Sequence, residues 1–240
     1  MLHIWHEDSY NPTTGQKSST QLFWEFLKAE NVSPKLIGAD ICGFNGNITF
    51  YNYLLTTPFN NTDKYIILFD FVLDNYKALR MYRKLKSLLS RFPNVYLADL
   101  LCFEYLMLCF QHLDVWTKPI GTRAIPIYSN LLDLRKEFIK CKTTGVTWKG
   151  NKNLNAYATT NRLTSEEEIA THLLQDITSV NHKFIISKTS MGNCWFINCC
   201  INPYMGKNSC NIFRYKKSSN IKARNLYNET IAKTLIMNYG

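Results

Sequence analysis

The sequence predicts an α/β fold: a parallel, Rossmann-like sheet with helices on both faces, followed by a smaller, basic, cysteine-rich α+β part. Three observations predict it. Over the first 115 residues, short apolar runs alternate with segments whose apolar residues recur at steps of three and four, the pattern of strands joined by helical crossovers. The run Tyr65-Ile66-Ile67-Leu68-Phe69 is apolar throughout, as expected of a strand buried on both faces. Hydrophobic residues make up 46% of the 240, enough to fill a core and to exclude a disordered chain.

Taken in order, the first strand is expected at 2–6. His3 and His6 flank it and are set apart from the sheet-facing Ile4; His6, next to Glu7, could join an acidic site, but a surface imidazole is the favoured reading. Ser18 or Ser19 caps a helix through Leu22, Phe23, Phe26 and Leu27, whose spacing gives one apolar face. The second strand is expected at 35–42, ended by Gly43. A short helix over 48–55 has Phe50, Tyr51, Leu54 and Leu55 on one side, and the third strand follows at 65–69. The helix at 75–92 is the most regular. Ala78, Tyr82, Leu85, Leu89 and Phe92 form its stripe, Lys77, Arg80, Arg83, Lys84, Lys86 and Arg91 fill much of the rest, and Pro93 stops it. The fourth strand lies within 94–98. Residues 101–113 are apolar almost all round, which predicts a buried helix.

Beyond Trp116 the pattern changes, so the α/β domain is set at 1–116 and a C-terminal part at 117–240. Two helices are expected there, at 129–141 and 165–178, the second opened by a capping box of Thr164 with Glu167. The polar stretch 143–161 between them reads as a loop. Residues 183–215 mix β-formers with cysteine and glycine, and 220–237 reads as one closing helix. There are no repeats.

The formal net charge is +10 and unevenly spread. Residues 181–240 carry nine Lys and Arg against one acid, Glu229, whereas residues 1–180 are close to balanced. A polyanion, most simply nucleic acid, is one partner that such a surface fits; a lysine-rich solubilising surface is the other reading. No apolar run has transmembrane length, and residues 1–8 lack the basic-then-apolar pattern of a signal peptide. A cytoplasmic location is therefore expected, with no membrane partner and with the eight cysteines as thiols or metal ligands.

In an open parallel sheet, ligands bind beyond the carboxyl ends of the strands, so acids at those ends carry the information. Glu7 and Asp8 follow the first strand. Asp70 follows the third, with Asp74 four residues on. Asp99 follows the fourth, and Glu104 lies inside the apolar segment after it. Converging carboxylates make a hard-cation site for Mg²⁺ or Mn²⁺. Asp8, Asp74 and Asp99 read individually as turn or cap residues. Glu104 needs either a metal or a cationic partner if buried. The loop Gly43-Phe44-Asn45-Gly46-Asn47 could approach a phosphate, but a tight turn is the favoured reading. Cys194, Cys199, Cys200 and Cys210 offer four soft ligands for a structural Zn²⁺, with buried cysteines alternating with aromatics as the competing reading; His172 and His182 are further ligand candidates.

Glu7 at the end of the first strand, the Gly43–Asn47 loop after the second, Phe69-Asp70 at the end of the third, and the run from Asn94 to Leu108 with its Cys102-Phe103-Glu104 segment together resemble the Toprim layout, in particular the OLD and RloB-like nucleases of phage defence. The resemblance covers about the first 115 residues. It implies an Mg²⁺-dependent nuclease cleaving DNA or RNA, with Glu7 as metal ligand or general acid/base and Asp70 as the first aspartate of an Asp-x-Asp pair. The second position of that pair is Val72, and Asp74 and Glu104 are the available additional ligands. Arg80, Arg83, Lys84, Lys86, Arg214, Lys216 and Lys217 would hold the nucleic acid. No Walker A motif is present, so any nucleotide-driven control would come from a partner ATPase. The alternative is a non-catalytic nucleic-acid-binding or regulatory protein with a degenerate Toprim site.

Overall fold

The computed structural model describes residues 1–8, 17–70, 76–98, 106, 108, 125–179 and 219–240. They belong to two compact units: residues 1–103 with 217–240, and residues 104–216.

The first unit is built on the expected sheet. Strands β1 (Leu2–His6), β2 (Asp40–Gly43), β3 (Lys64–Leu68) and β4 (Val95–Leu97) are all parallel, in the order β2-β1-β3-β4. Ile4 sits level with Ile41 on one side and Ile66 on the other, and Ile67 with Leu97. Helices α1 (Ser19–Ala29), α2 (Gly46–Thr56) and α3 (Tyr76–Leu89) make the crossovers. Right-handed crossovers fix their sides. The step from β1 to β2 runs opposite to the steps from β2 to β3 and from β3 to β4, so α2 and α3 share one face and α1 takes the other. The packing follows. Trp5, Tyr65 and Ile67 join Phe50 and Leu54 of α2 and Tyr82, Leu85 and Leu89 of α3 in one buried cluster.

On the other face α1 is too little to cover four strands, and a parallel sheet needs cover on both sides. Two further helices, α7 (Ser219–Glu229) and α8 (Ala232–Tyr239), supply it: α7 packs on α1 and α8 on β3. Ala223, Leu226, Leu235 and Ile236 are buried there. Lys35 clamps the end of α8 by donating to the carbonyls of Ile236, Met237 and Gly240 at 3.3, 3.0 and 3.1 Å, which suits a cation at a helix C-terminus. Residues 219–240 thus belong with the sheet, not with the rest of the 117–240 segment.

In the second unit, α4 (Ile125–Thr144) packs against α5 (Lys152–Thr160) and α6 (Glu166–Ser179). Phe138, Leu154, Ile169, Leu173 and Ile177 are buried.

Several expectations are corrected. The first half of the second predicted strand is a 3-10 turn, Pro34–Leu36, because proline at the turn's start removes a ladder donor; pairing begins at Asp40. The predicted loop 143–161 contains a 3-10 turn and α5, whose start is fixed by Asn151 accepting from the amides of Asn153 and Leu154 at 3.1 and 3.0 Å. The capping box lies one residue later than expected. Ser165 Oγ accepts from the Glu168 amide at 3.1 Å, and Glu168 accepts from the amides of Thr164 and Ser165 at 2.6 and 3.2 Å. The closing helix is two helices. Thr230 donates its hydroxyl to the Leu226 carbonyl at 2.7 Å and accepts from the Ala232 amide at 3.2 Å, ending one and starting the next. His3 and His6 are both buried, at 8% and 1% exposure, and on opposite faces, since His6 shares the parity of Ile4. The predicted helix 101–113 and the segment 183–215 lie outside the described residues, apart from Leu106 and Leu108, which are helical and buried.

Candidate functional site

Strand order reverses between the step from β1 to β2 and the steps to β3 and β4, which makes the β1/β3 boundary the switch point of the sheet, where open α/β folds place their ligands. Glu7 extends β1 there and Asp70 extends β3. The pairing ends at His6 and Leu68, so Glu7 is the first residue past β1 and Asp70 the second past β3.

The loop after β2 folds onto this edge. Phe44 N–H donates to the His6 carbonyl at 2.8 Å and Gly46 N–H to the Glu7 carbonyl at 3.0 Å. Gly43 is obligatory for that approach: a Cβ there would run into the Asp8 carbonyl oxygen and lie 2.8 Å from His6 Cε1. Gly46 has φ of +82°, the left-handed conformation that favours glycine. The turn delivers Asn47, in the first turn of α2, to Glu7. With its nitrogen facing Glu7, the Asn47 carboxamide donates to both carboxylate oxygens, at 2.7 Å to Oε1. A carboxylate at the start of a helix is also favoured by the helix dipole. Glu7 is therefore oriented from two directions, through its backbone and through its side chain.

Beneath the edge lies a polar chain. His6 Nε2 is 2.8 Å from Gln21 Oε1, and since a carboxamide oxygen only accepts, Nε2 carries the proton. Nδ1 is buried with no hydrogen-bond partner among the described residues. Gln21 Nε2 donates to Glu25 at 2.8 Å and to the Ile41 carbonyl at 3.1 Å, and Lys17 donates to Glu25 at 2.8 Å. Burial pushes the His6 pKa below its ordinary value, against the pull of Asp8 and Glu25. Burial works upward on Glu25, but hydrogen bonds from Lys17 and Gln21 outweigh it and hold that carboxyl low.

Of the expected site residues, Glu7 and Asp70 end neighbouring strands at one edge. Asp8 is taken by α1: its carboxylate accepts from Thr20 at 2.7 Å and its carbonyl from Ser18 at 3.2 Å. Among the described residues no three of His, Cys, Asp and Glu gather as a metal cage. Asp74, Asp99, Glu104, Cys194, Cys199, Cys200, Cys210, His182, Arg214, Lys216 and Lys217 lie outside the described residues. Cys42 and Cys141, the two described cysteines, are free thiols. Arg80, Arg83, Lys84 and Lys86 are exposed on α3.

Three features escape sequence reasoning because their partners are distant in the chain. Asn47 on Glu7 is one. At the opposite edge of the sheet, His3 stacks on Tyr65 at 4.5 Å, with Nδ1 2.9 Å from Asp40 Oδ2 and Nε2 3.4 Å from Asp63 Oδ2. In the second unit, the Tyr157 hydroxyl donates to Asp176 at 2.7 Å and lies 2.8 Å from His172 Nδ1, tying α5 to α6. Burial first, then the bond to Asp176, raises the Tyr157 pKa, so it is a neutral phenol and His172 is a structural partner.

Among the described residues no helix is long and apolar enough to cross a membrane. Comparison of the chain with protein-family models, with curated proteins and with solved structures finds no match.

Proposed function

We propose that the protein is a divalent-cation-dependent phosphodiesterase acting on nucleic acid, with its centre at the carboxyl edge of β1 and β3. The observation that carries this reading is the position of Glu7 and Asp70 at the ends of adjacent parallel strands, at the switch point of the sheet. Mg²⁺ is commonly held by only one or two carboxylates, with waters and substrate phosphate completing its shell, so this pair is a sufficient protein contribution. Glu7 and Asp70 would hold the ion, which when bound would polarise a phosphate oxygen and make its water more acidic. Asn47 fixes the Glu7 carboxylate in the manner of an outer-shell partner of a metal ligand. The resemblance to Toprim nucleases of phage defence supports the same reading and points to a role in defence or in a mobile element, where any nucleotide-driven control would come from a partner ATPase or other protein.

A second reading, a nucleic-acid-binding protein without catalysis, is favoured by Val72 in place of the second aspartate. One experiment separates the two: incubation with single- and double-stranded DNA and RNA in Mg²⁺, Mn²⁺ or chelator. Metal-dependent cleavage is expected. Glu7→Gln and Asp70→Asn should each abolish it, and Asn47→Ala should lower it by about 10–100-fold. No cleavage of any substrate by the unaltered protein in either metal rejects catalysis.

A further inference from the structure

Helix α3 turns Lys77, Arg80, Arg83, Lys84 and Lys86 to solvent, with Arg91 just past its end, and no carboxylate occurs between residues 75 and 98. At 3.6 residues per turn these side chains fan over roughly half the helix circumference. Arg80, Arg83, Lys84 and Lys86 have no ion-pair partner among the described residues. Arg80 and Lys84 stand four apart, Arg80 and Arg83 three apart, and Arg83 and Lys86 three apart. Like charges at these spacings repel across a turn. An isolated helix would be destabilised by such a set, and a bound polyanion relieves it.

The remaining chemistry of the face narrows the partner. A basic amphipathic helix can be a membrane-surface element, but Ala78, Tyr82, Leu85 and Leu89 are spent on the sheet, at 6% exposure or less. Met81 packs against the same core and Leu88 is half-buried, so no exposed apolar side chain is described on the helix to enter a bilayer. Arginine forks at two positions suit phosphate oxygens. Among the described residues, the other exposed side chains of the helix and its end are Ser87, Ser90 and Pro93. Among the described side chains of this face there is no exposed aromatic to stack an unpaired base, and no exposed Asn or Gln to read a base edge. Contacts confined to phosphates position a duplex without reading it.

Resting on the reading that the substrate is a nucleic acid, we propose that α3 is the docking ridge for the sugar-phosphate backbone of a duplex, gripped without regard to sequence. The test is fluorescence anisotropy on the full chain without divalent metal, using unrelated duplexes and single strands of equal length across a salt series. The duplexes should bind within about threefold of one another and more tightly than the single strands, as expected of binding carried by phosphates. Neutralising Arg80, Arg83, Lys84 and Lys86 to Gln should flatten the log–log salt slope by about three to four units, near 0.9 per lost phosphate contact. The Arg83→Gln, Lys84→Gln pair should flatten it by about half as much and is the fallback if the fourfold variant misfolds, since exposed charges contribute little stability. A slope unchanged in the variants overturns the proposal, as does tighter binding to single strands, a strong preference for one duplex, or binding to acidic vesicles or acidic protein alone. Absent cleavage with binding that depends on α3 would remove the proposed catalysis and leave the ridge. Cleavage indifferent to the α3 variants would do the reverse.

Discussion

Burying a histidine with one nitrogen unpartnered has a definite sign for stability. In the folded chain His6 resists protonation because burial disfavours its charged form, while in the unfolded chain it takes a proton near the ordinary value of about 6.5. The unfolded state then binds more protons below that pH. The contribution of His6 is therefore fully present above about pH 6.5 and is lost as pH falls, at up to about 1.4 kcal/mol per pH unit until the lowered folded pKa is reached. Urea unfolding between pH 7.5 and 5 should show this decline in the unaltered protein and a shallower one in His6→Gln, which keeps a donor toward Gln21. Identical slopes would rule the account out. None of this was visible in sequence, where His6 read as a surface imidazole. Its burial depends on Gln21 and on the Gly43 backbone, both far along the chain. The places of Glu7 and Asp70 just past β1 and β3, by contrast, were legible, because a residue that follows a strand inherits its place from the strand. What holds Glu7, the Asn47 amide, was not, since the loop read only as a turn.

At the level of elements, the beginning of α6 distinguishes two nearly identical capping sequences. Thr164 and Ser165 both precede acids at the right spacing, and sequence alone favoured Thr164 with Glu167. The fold chooses Ser165 with Glu168, and hydrogen bonds led by the Thr164 amide hold the Glu168 carboxyl below its usual range. Ser165→Ala should then cost about 1 kcal/mol, the usual worth of an N-cap, and Thr164→Ala less than about 0.5 kcal/mol, as for a surface position. Chemical denaturation of both variants measures the difference, and the reverse order would contradict the assigned cap. Elements with a continuous signal were read well: β3 from its unbroken apolar run, α3 from a stripe of five residues. Helix α5 was missed because it buries little beyond Leu154 and Ala158, and its remaining Asn, Thr and Lys resemble a loop.

For the whole molecule, the boundary drawn after residue 116 failed to anticipate that 219–240 return to the sheet. Local pattern cannot announce this. The need arises from topology: one crossover helix on one face and two on the other leave an apolar surface open. Deleting residues 217–240 should uncover it. Leu226, Leu235 and Ile236 together contribute about 5–9 kcal/mol by burial, comparable with the whole stability of about 5–15 kcal/mol typical of a domain. The shortened chain is expected to lose its cooperative urea transition and to bind a hydrophobic dye. A cooperative transition at the original midpoint would mean that α7 and α8 only decorate the sheet.

The same closure has a consequence in time. The strands that α7 and α8 protect leave the ribosome roughly 150 residues before their cover does, a wait of about 8–30 s at ordinary elongation rates. Through that interval the face carrying Ile4, Ile66 and Leu68 has α1 as its only described crossover helix. The nascent chain would then be a client for chaperones that hold apolar sheet surface, and its yield would depend on how quickly the last two helices are made.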